Sequence, residues 1–178
     1  MTPYQRHETK WGRCTRCLLC EQRRRIVLAR GRVPCDVLFI GEAPGASEDV
    51  LGKPFVGPAG KLLDSIIKDA MPEHLIYALT NLVCCYPREA KSTGENEPPE
   101  EAIEACAPRL KEFVYICQPR VIVLVGRLAV KYVPASLLLP RKWAEIIHPA
   151  AIIRMDVSQR GLARQRARVS IEDTVEGL

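Results

Sequence analysis

Short apolar runs along the chain predict four strands. The apolar residues in these runs are mostly continuous rather than alternating with polar ones, which is typical of strands covered on both faces. The runs are also rich in β-branched and aliphatic residues. They cover Asp36–Ile40, Ile76–Val83, Val121–Val125 and Ala144–Ile147. The pattern therefore predicts a buried parallel sheet.

Segments with helical periodicity lie between these runs. Apolar residues recur at helical spacing in Pro58–Ala70 and in Pro99–Cys117, and shorter helices are predicted over Arg127–Tyr132 and Ser158–Val169. Strands and helices thus alternate along the chain. This order predicts an α/β fold, a three-layer α/β/α sandwich around a central four-stranded parallel sheet.

The length of 178 residues fits a single domain. We divide it into a basic, cysteine-bearing amino-terminal segment (1–32), a core (33–157) and a basic tail (158–178). The composition of Tyr86–Pro98 predicts a loop, and we expect the chain from Ser170 onward to be loosely ordered. No apolar run reaches the roughly eighteen residues of a membrane span, so we expect a soluble, cytoplasmic monomer without membrane association.

Positive charge is concentrated in two parts of the chain. The net charge is +5, and within residues 1–32 nine Lys or Arg residues stand against two Glu residues. A second cluster comprises Arg154, Arg160, Arg164, Arg166 and Arg168. Concentrated cations favour a polyanionic partner such as DNA, because each phosphate contact releases a condensed counterion. A solvated surface could carry the same charge, so charge permits this partner without establishing it.

Polar residues stand at the ends of three predicted strands. Glu42 follows the first strand, Asn81 lies near the end of the second, and His148 follows the fourth. Open parallel sheets bind ligands beyond the carboxyl ends of their strands, so these three side chains are expected in one cleft. Each also has an ordinary structural interpretation: Glu42 and His148 could cap helices, and Asn81 could form a turn.

The loop after the first strand carries a candidate base-stacking residue. Gly and Pro residues surround Phe55 within Gly52–Gly60. Glycine allows the backbone to approach a ligand closely, and an aromatic ring on a rigid loop can stack on a nucleic-acid base. The alternative is that Phe55 fills the core beneath the loop.

Eight cysteines are many for a chain in which no export signal is visible. In a reducing compartment, such a count favours metal or redox chemistry over disulfides.

Five segments resemble the motifs of type 4 uracil-DNA glycosylases. They are Gly41–Asp64 (GEAPGASEDVLGKPFVGPAGKLLD), Thr80–Pro87 (TNLVCCYP), Glu104–Pro108 (EACAP), Val121–Ala129 (VIVLVGRLA) and His148–Arg154 (HPAAIIR). The match is collinear from about Trp11 to Arg154. The resemblance implies a monofunctional DNA repair enzyme that flips uracil out of DNA and hydrolyses its N-glycosidic bond, leaving an abasic site.

The resemblance also assigns the cysteines. It implies a 4Fe-4S cluster held by Cys14, Cys17, Cys85 and Cys106, with Cys84 as the alternative third ligand and Cys20 as a further competitor. Four thiolates could equally hold a single zinc ion, which spacing alone favours slightly. The family favours iron–sulfur. Two further cysteines, Cys35 and Cys117, are interpreted as buried thiols.

Roles in base recognition follow from the same resemblance. Phe55 would stack on the flipped base, Asn81 would pair with the uracil carbonyl and imide, and His148 would donate near O2. Gly41 and Ala43 are expected in the substrate-binding motif, and type 1 enzymes have an aspartate where Ala43 stands.

Two carboxylates are candidates for holding the attacking water or stabilising the cationic sugar. They are Glu42 and Glu48, and the sequence leaves the choice between them open. Glu48 could also help to reject thymine by crowding its methyl group.

The sequence departs from the family in three places. The segment between Cys85 and Cys106 is several residues longer, an Asn-Arg pair appears as Asn96-Glu97, and Ala151 stands where an aromatic residue is common. Arg88 or Lys91 could replace the missing cation.

These departures support an alternative function, a non-catalytic DNA-binding or replication-associated module. A third hypothesis is a related enzyme of altered outcome, accepting other deaminated bases or trapping the sugar covalently. The covalent branch of the family carries a His-bearing basic insert near the middle of the chain. This sequence has no His between Tyr86 and Pro98, so the resemblance disfavours covalent trapping.

Overall fold

A computed structural model describes residues 1–88 and 97–178. Its sheet has five strands in the order β1-β3-β2-β4-β5. The strands are β1 (Ala29–Gly31), β2 (Val37–Gly41), β3 (Tyr77–Asn81), β4 (Val121–Val125) and β5 (Lys142–Ile146). Neighbours among β2 to β5 run parallel, and β1 pairs with β3 in the antiparallel sense.

The predicted parallel sheet is confirmed, but the count of four strands is wrong by one. The missed strand, β1, has the sequence Ala-Arg-Gly, which carries no apolar run to signal it. It joins the sheet by backbone pairing, with Ala29 opposite Thr80. The second strand also ends at Asn81 rather than at the predicted Val83, because the chain leaves the sheet there.

Helices flank the sheet. They are α1 (Pro3–Trp11), α2 (Leu19–Gln22), α3 (Ala46–Leu51), α4 (Pro58–Ala70), α5 (Glu100–Cys117), α6 (Arg127–Tyr132), α7 (Ala135–Leu138), α8 (Pro149–Arg154) and α9 (Val157–Val175). The predicted bounds of α4 and α6 are confirmed, and α5 begins one residue late because Pro99 is its N-cap. The other short helices were not predicted, since a few residues carry too little periodicity.

The core forms two layers, one on each face of the sheet. Val37 and Phe39 face one way and pack with residues of α4, α8 and α9. Leu38 and Ile40 face the other way and pack with residues of α5, α6 and α7. Successive strand side chains point to opposite faces, so burial on both faces requires the continuous apolar runs seen in the sequence. The three-layer prediction is confirmed.

The carboxyl-terminal region is ordered, contrary to prediction. Helix α9 continues to Val175, and Ala167, Ile171 and Val175 are buried against the sheet layer. These three residues recur every four positions and form one narrow apolar stripe in a basic segment. The stripe is the helical signal that the basic composition obscured.

The amino-terminal segment is also part of the packed structure. The rings of Tyr4 and His7 in α1 lie 6.0 and 5.5 Å from the ring of Phe113 in α5. Across the described residues, no helix is both long and apolar enough to cross a membrane.

Candidate active site

A cleft of about 890 Å³ lies at the carboxyl ends of the parallel strands. Its lining includes six of the predicted site residues, namely Glu42, Ala43, Glu48, Phe55, Asn81 and His148. They come from loops and strand ends far apart in sequence, and the parallel sheet brings those ends to one edge. The structure therefore gathers the predicted polar and aromatic side chains in one place.

Gly41 forms the surface behind two of these side chains. A Cβ atom at this position would overlap the ring of Phe55 and would lie 2.5 Å from Oδ1 of Asn81. The ring edge and the side-chain amide thus meet over the bare backbone at the end of β2. Any larger residue at position 41 would displace one of them.

The loop around Phe55 is held by the carboxylate of Glu48. Phe55 has a φ of 57°, which is unfavourable for a residue with a side chain, and it is only 6% exposed. Oε1 of Glu48 accepts hydrogen bonds from the N–H groups of Val56 at 2.9 Å and Gly57 at 2.8 Å. Oε2 accepts one from the N–H of Gly45 at 3.1 Å. Both carboxylate oxygens of Glu48 therefore accept hydrogen bonds from backbone N–H groups.

Arg30 holds the same loop from the other side. Its Nε donates to the carbonyl of Pro54 at 2.8 Å, and its Nη2 donates to the carbonyl of Phe55 at 3.1 Å. Nη2 also pairs with Asp64 at 2.5 Å. Arg30 and Glu48 together fix the backbone before and after Phe55. These contacts hold the strained backbone of Phe55 and thereby define the position of its ring.

His148 has a hydrogen-bonding pattern that defines its tautomer. It is the N-cap of α8, and its Nδ1 accepts a hydrogen bond from the N–H of Ala150 at 3.2 Å. Burial lowers the pKa of His148 to about 4; the charge of Arg154 also lowers it, and Glu48 acts in the opposite direction. The imidazole is therefore neutral near pH 7, with its proton on Nε2. His148 is both a helix cap and a cleft-lining donor.

Glu42 lies next to His148 across Gly126. Its Oε1 accepts a hydrogen bond from the N–H of Leu128, in the first turn of α6, at 3.2 Å. A Cβ atom on Gly126 would overlap the Glu42 carboxylate and would lie 3.0 Å from Cβ of His148. Gly126 has a φ of 95°, which is a second reason for glycine here. The Glu42 carboxylate and the base of the His148 side chain thus both lie against Gly126.

Comparison with known proteins shows the family of this chain. The family described as the uracil DNA glycosylase superfamily matches residues 29–169, most of the chain. This chain belongs to the uracil-DNA glycosylase superfamily. The resemblance deduced from the sequence motifs is confirmed.

Relatives named type-4 uracil-DNA glycosylase are similar to this superfamily member over two thirds of its length. The identity is 39% over 121 residues for a protein of Sulfurisphaera tokodaii, 37% over 122 residues for one of Saccharolobus solfataricus, and 32% over 120 residues for one of Thermotoga maritima. Each alignment covers 67% of this chain. The chain spans 53%, 54% and 60% of the length of these relatives.

A solved structure shares the fold. The solution NMR structure of a candidate uracil DNA glycosylase from Methanosarcina acetivorans superposes with a TM-score of 0.52. The match covers 85% of this chain and 98% of that one at 13% identity, so it supports the fold alone.

A second site of this superfamily member is a pocket lined by cysteines. The four predicted cluster ligands, Cys14, Cys17, Cys85 and Cys106, line it together with Cys20 and Cys84. Within residues 1–88 and 97–178, no three His, Cys, Asp or Glu side chains are arranged to hold a single metal ion. The six thiols instead line a small pocket of about 20 Å³.

The donor set of this pocket suits an anionic thiolate centre. Arg23 donates from Nη1 to Sγ of Cys85 at 3.2 Å and from Nη2 to the carbonyl of Cys14 at 2.7 Å. A hydrogen bond with Cys84 lowers the pKa of Cys106 to about 5. The thiols and the guanidinium therefore fit a cluster of the kind that the type 4 resemblance implies.

The residues at which this sequence departs from the family pattern lie in different parts of the structure. Asn96 and Lys91 lie outside the described residues. Glu97 pairs with Arg127, and Ala151 lines the cleft. Arg88, proposed as a replacement cation, pairs with Asp49 at 2.6 Å, so a carboxylate already balances its charge.

Sequence reasoning missed three residues around the site: Arg30, Arg109 and Gly126. Arg30 belongs to the undetected strand β1, and Arg109 lies in a helix whose pattern gave no sign that an arginine would be buried. Gly126 directly follows a predicted strand, and a glycine in that position was the one available signal.

Proposed function

We propose that this protein removes uracil from DNA by hydrolysing the N-glycosidic bond, leaving an abasic site and an intact backbone. The observation that carries the proposal is the convergence of Phe55, Asn81 and His148 on one cleft. These side chains supply a stacking ring, an amide and a neutral N–H donor. Superfamily membership and the type-4 relatives support the same reaction.

Base recognition would depend on Phe55 and Asn81. A base inside a duplex is inaccessible, so it must first be flipped out at a cost of a few kcal/mol, which stacking helps to offset. The ring of Phe55 and Oδ1 of Asn81 both lie against Gly41. A base stacked on the ring would therefore present its edge to the amide. An amide can accept from the uracil N3–H and donate to O4, a pattern that cytosine does not match.

His148 would stabilise the leaving group. When the bond between C1′ and N1 breaks, its electron pair leaves with uracil and negative charge develops on O2. A donor directed at that charge contributes more in the transition state than in the ground state. The neutral imidazole has its single N–H on Nε2, because Nδ1 is occupied by Ala150. It donates without transferring its proton.

Glu42 is the carboxylate that we assign to the water. The water oxygen bonds to C1′, and the proton that it loses passes to Glu42 and then to solvent. Glu42 lies beside His148 across Gly126. Glu48 holds the N–H groups of Gly45, Val56 and Gly57, on either side of Phe55. We therefore assign Glu48 to positioning of the Phe55 loop.

The cysteine pocket would hold the cluster through Cys14, Cys17, Cys85 and Cys106. A bound cluster supplies covalent links between the amino-terminal segment and the middle of the chain. These cysteines lie before β1, after β3 and in α5. The links would stiffen the region that packs behind Asn81.

The proposal is tested with a uracil-containing oligonucleotide, single-stranded and in duplex. We expect alkali-sensitive abasic sites to form with the wild-type protein and to be strongly reduced with Asn81→Ala. Tyr115→Ala, a change at a surface residue of α5 that is 77% exposed, is the matched control. Tight DNA binding without base release would instead support the non-catalytic module, and a stable protein–DNA adduct on a denaturing gel would support covalent trapping.

A further inference from the structure

Arg109 connects the cysteine pocket to the end of β3. Its side chain is buried, with 1% exposed, and it lines the cysteine pocket. Nη1 donates to Oγ1 of Thr80 at 2.8 Å, and Nη2 donates to the carbonyls of Asn81 at 2.5 Å and Leu82 at 2.9 Å. One guanidinium therefore holds three successive residues, the middle of which carries the base-reading amide.

The buried charge of Arg109 requires a counter-charge. Its Nε has no hydrogen-bond partner among the residues that the structure describes. The acidic groups that act on it most strongly are the thiols of Cys84, Cys106 and Cys85. A buried cation is costly unless an anion lies nearby. Arg109 lines the same pocket as the six cysteines, so thiolates ligating a cluster there would supply that anion.

We infer that Arg109 is a positioning residue that fixes Asn81 in the base pocket, and that an anionic cysteine centre balances its buried charge. This inference rests on the proposed function, because it assigns a consequence for uracil recognition. The planar guanidinium suits the task, since its fork reaches the Thr80 hydroxyl and two carbonyls at once. A lysine would keep the charge but could not reproduce that geometry.

The inference predicts two separable effects. In Arg109→Lys, the charge stays and the fork is lost, so binding of free uracil weakens on the order of tenfold while the midpoint potential of the cluster stays near the wild-type value. In Arg109→Met, uracil binding weakens and the midpoint potential also becomes more negative, because the reduced cluster loses a nearby cation.

Arg23→Met is the matched control. Arg23 also contacts the cysteine pocket, through Cys85 and the carbonyl of Cys14, but its described hydrogen bonds do not reach β3. In Arg23→Met, we expect the midpoint potential of the cluster to become more negative and the inhibition constant of free uracil to stay unchanged. Iron and sulfide contents are measured for every variant, so that loss of the cluster is distinguished from a change in its potential.

Uracil binding is measured as inhibition of base release, and the potential by a spectroscopic redox titration. An unchanged inhibition constant in Arg109→Lys overturns the positioning role. The charge balance is overturned by an unchanged midpoint potential in Arg109→Met or by an iron-free wild-type protein. If Arg109→Met does not fold, Arg109→Lys still decides the positioning role. Absence of base release by the wild-type protein contradicts the proposed function instead, and the redox titration still tests the charge balance.

Discussion

The rings of Phe55 and His148 lie nearly parallel, with their centroids 6.5 Å apart and their planes at 28°. One ring is on the loop between α3 and α4 and the other caps α8, yet both line the same cleft. Their relative position depends on the contacts that hold the Phe55 loop and on the hydrogen bond that fixes the imidazole. The two rings therefore form one continuous aromatic surface of the cleft, built from two segments far apart in sequence.

Replacing Phe55 with Ala removes the stacking surface. Stacking of one base on an aromatic ring contributes about 1–3 kcal/mol, so we expect kcat/KM for uracil release to fall about 5- to 150-fold. Single-turnover kinetics on a uracil-containing oligonucleotide measure the effect. Tyr115→Ala removes an exposed aromatic ring of α5 and is expected to leave the rate unchanged. Equal rates for Phe55→Ala and the wild type would show that the ring does not contact the base.

Paired substitutions distinguish the two glutamates. Glu48→Gln replaces a carboxylate that accepts three backbone hydrogen bonds with an amide that has one acceptor oxygen. We expect it to lower the free energy of unfolding by about 1–3 kcal/mol. Glu42→Gln is expected to lower the rate of base release with a smaller effect on stability. Urea unfolding and single-turnover rates are compared for both variants, and the reverse pattern would exchange the two assignments.

The rate of base release should not change through titration of His148 in the pH range where an ordinary histidine titrates. Its pKa is lowered from 6.5 to about 4, chiefly by burial, so the donating neutral form persists well below pH 6.5. We expect kcat to show no inflection from His148 near pH 6.5 and a loss of activity only near pH 4. His148→Ala should lower the rate about 100- to 1,000-fold at neutral pH. An inflection near pH 6.5 that disappears in His148→Ala would contradict this assignment.

The same lowered pKa affects stability. Between about pH 6.5 and pH 4, His148 is protonated in the unfolded chain but not in the folded protein. The unfolded state then binds more protons, so the free energy of unfolding falls as the pH decreases through this window. Urea unfolding at pH 7 and pH 5 should show a larger decrease for the wild type than for His148→Ala. A decrease of equal size would show that the folded imidazole titrates normally.

Arg30→Met tests the loop contacts on the side opposite Glu48. The change removes donors to the carbonyls of Pro54 and Phe55, so the strained conformation of Phe55 loses part of its support. We expect KM for uracil-containing DNA to rise several-fold. Arg32→Met, which changes another arginine just beyond β1, is the control for lost positive charge. A similar rise in both variants would indicate a charge effect instead.

Cysteine variants test the ligand assignment. We expect Cys85→Ser to lose iron and the broad absorbance near ~400 nm that is typical of iron–sulfur clusters, and Cys20→Ser to retain both. Cys84→Ser decides the alternative third ligand. Cys84 is almost fully buried and hydrogen bonded to Cys106, so its replacement is expected to reduce stability more than iron content. Loss of iron in Cys84→Ser but not in Cys85→Ser would transfer the assignment to Cys84.

Much of the fold was predictable because its signals are local. The strand Val121–Val125 and the helix Pro58–Ala70 have the predicted bounds, since each carries a complete apolar pattern of its own. Strand β1 was not predictable, because its three residues are ordered by pairing with β3 rather than by their own composition. Helix α9 was predicted to end too early, because its charged residues outnumber the three apolar residues that it buries, Ala167, Ile171 and Val175.

The sequence by itself determined that Glu42, Asn81 and His148 lie at or just after the carboxyl ends of strands of one parallel sheet. It also determined that Phe55 lies on a restricted loop. Only the tertiary structure decided which groups each side chain contacts there. The contacts of Glu48 with backbone N–H groups and of Arg109 with the end of β3 join residues from different elements. Such contacts depend on distance in space, and the spacing of residues along the chain does not encode that distance.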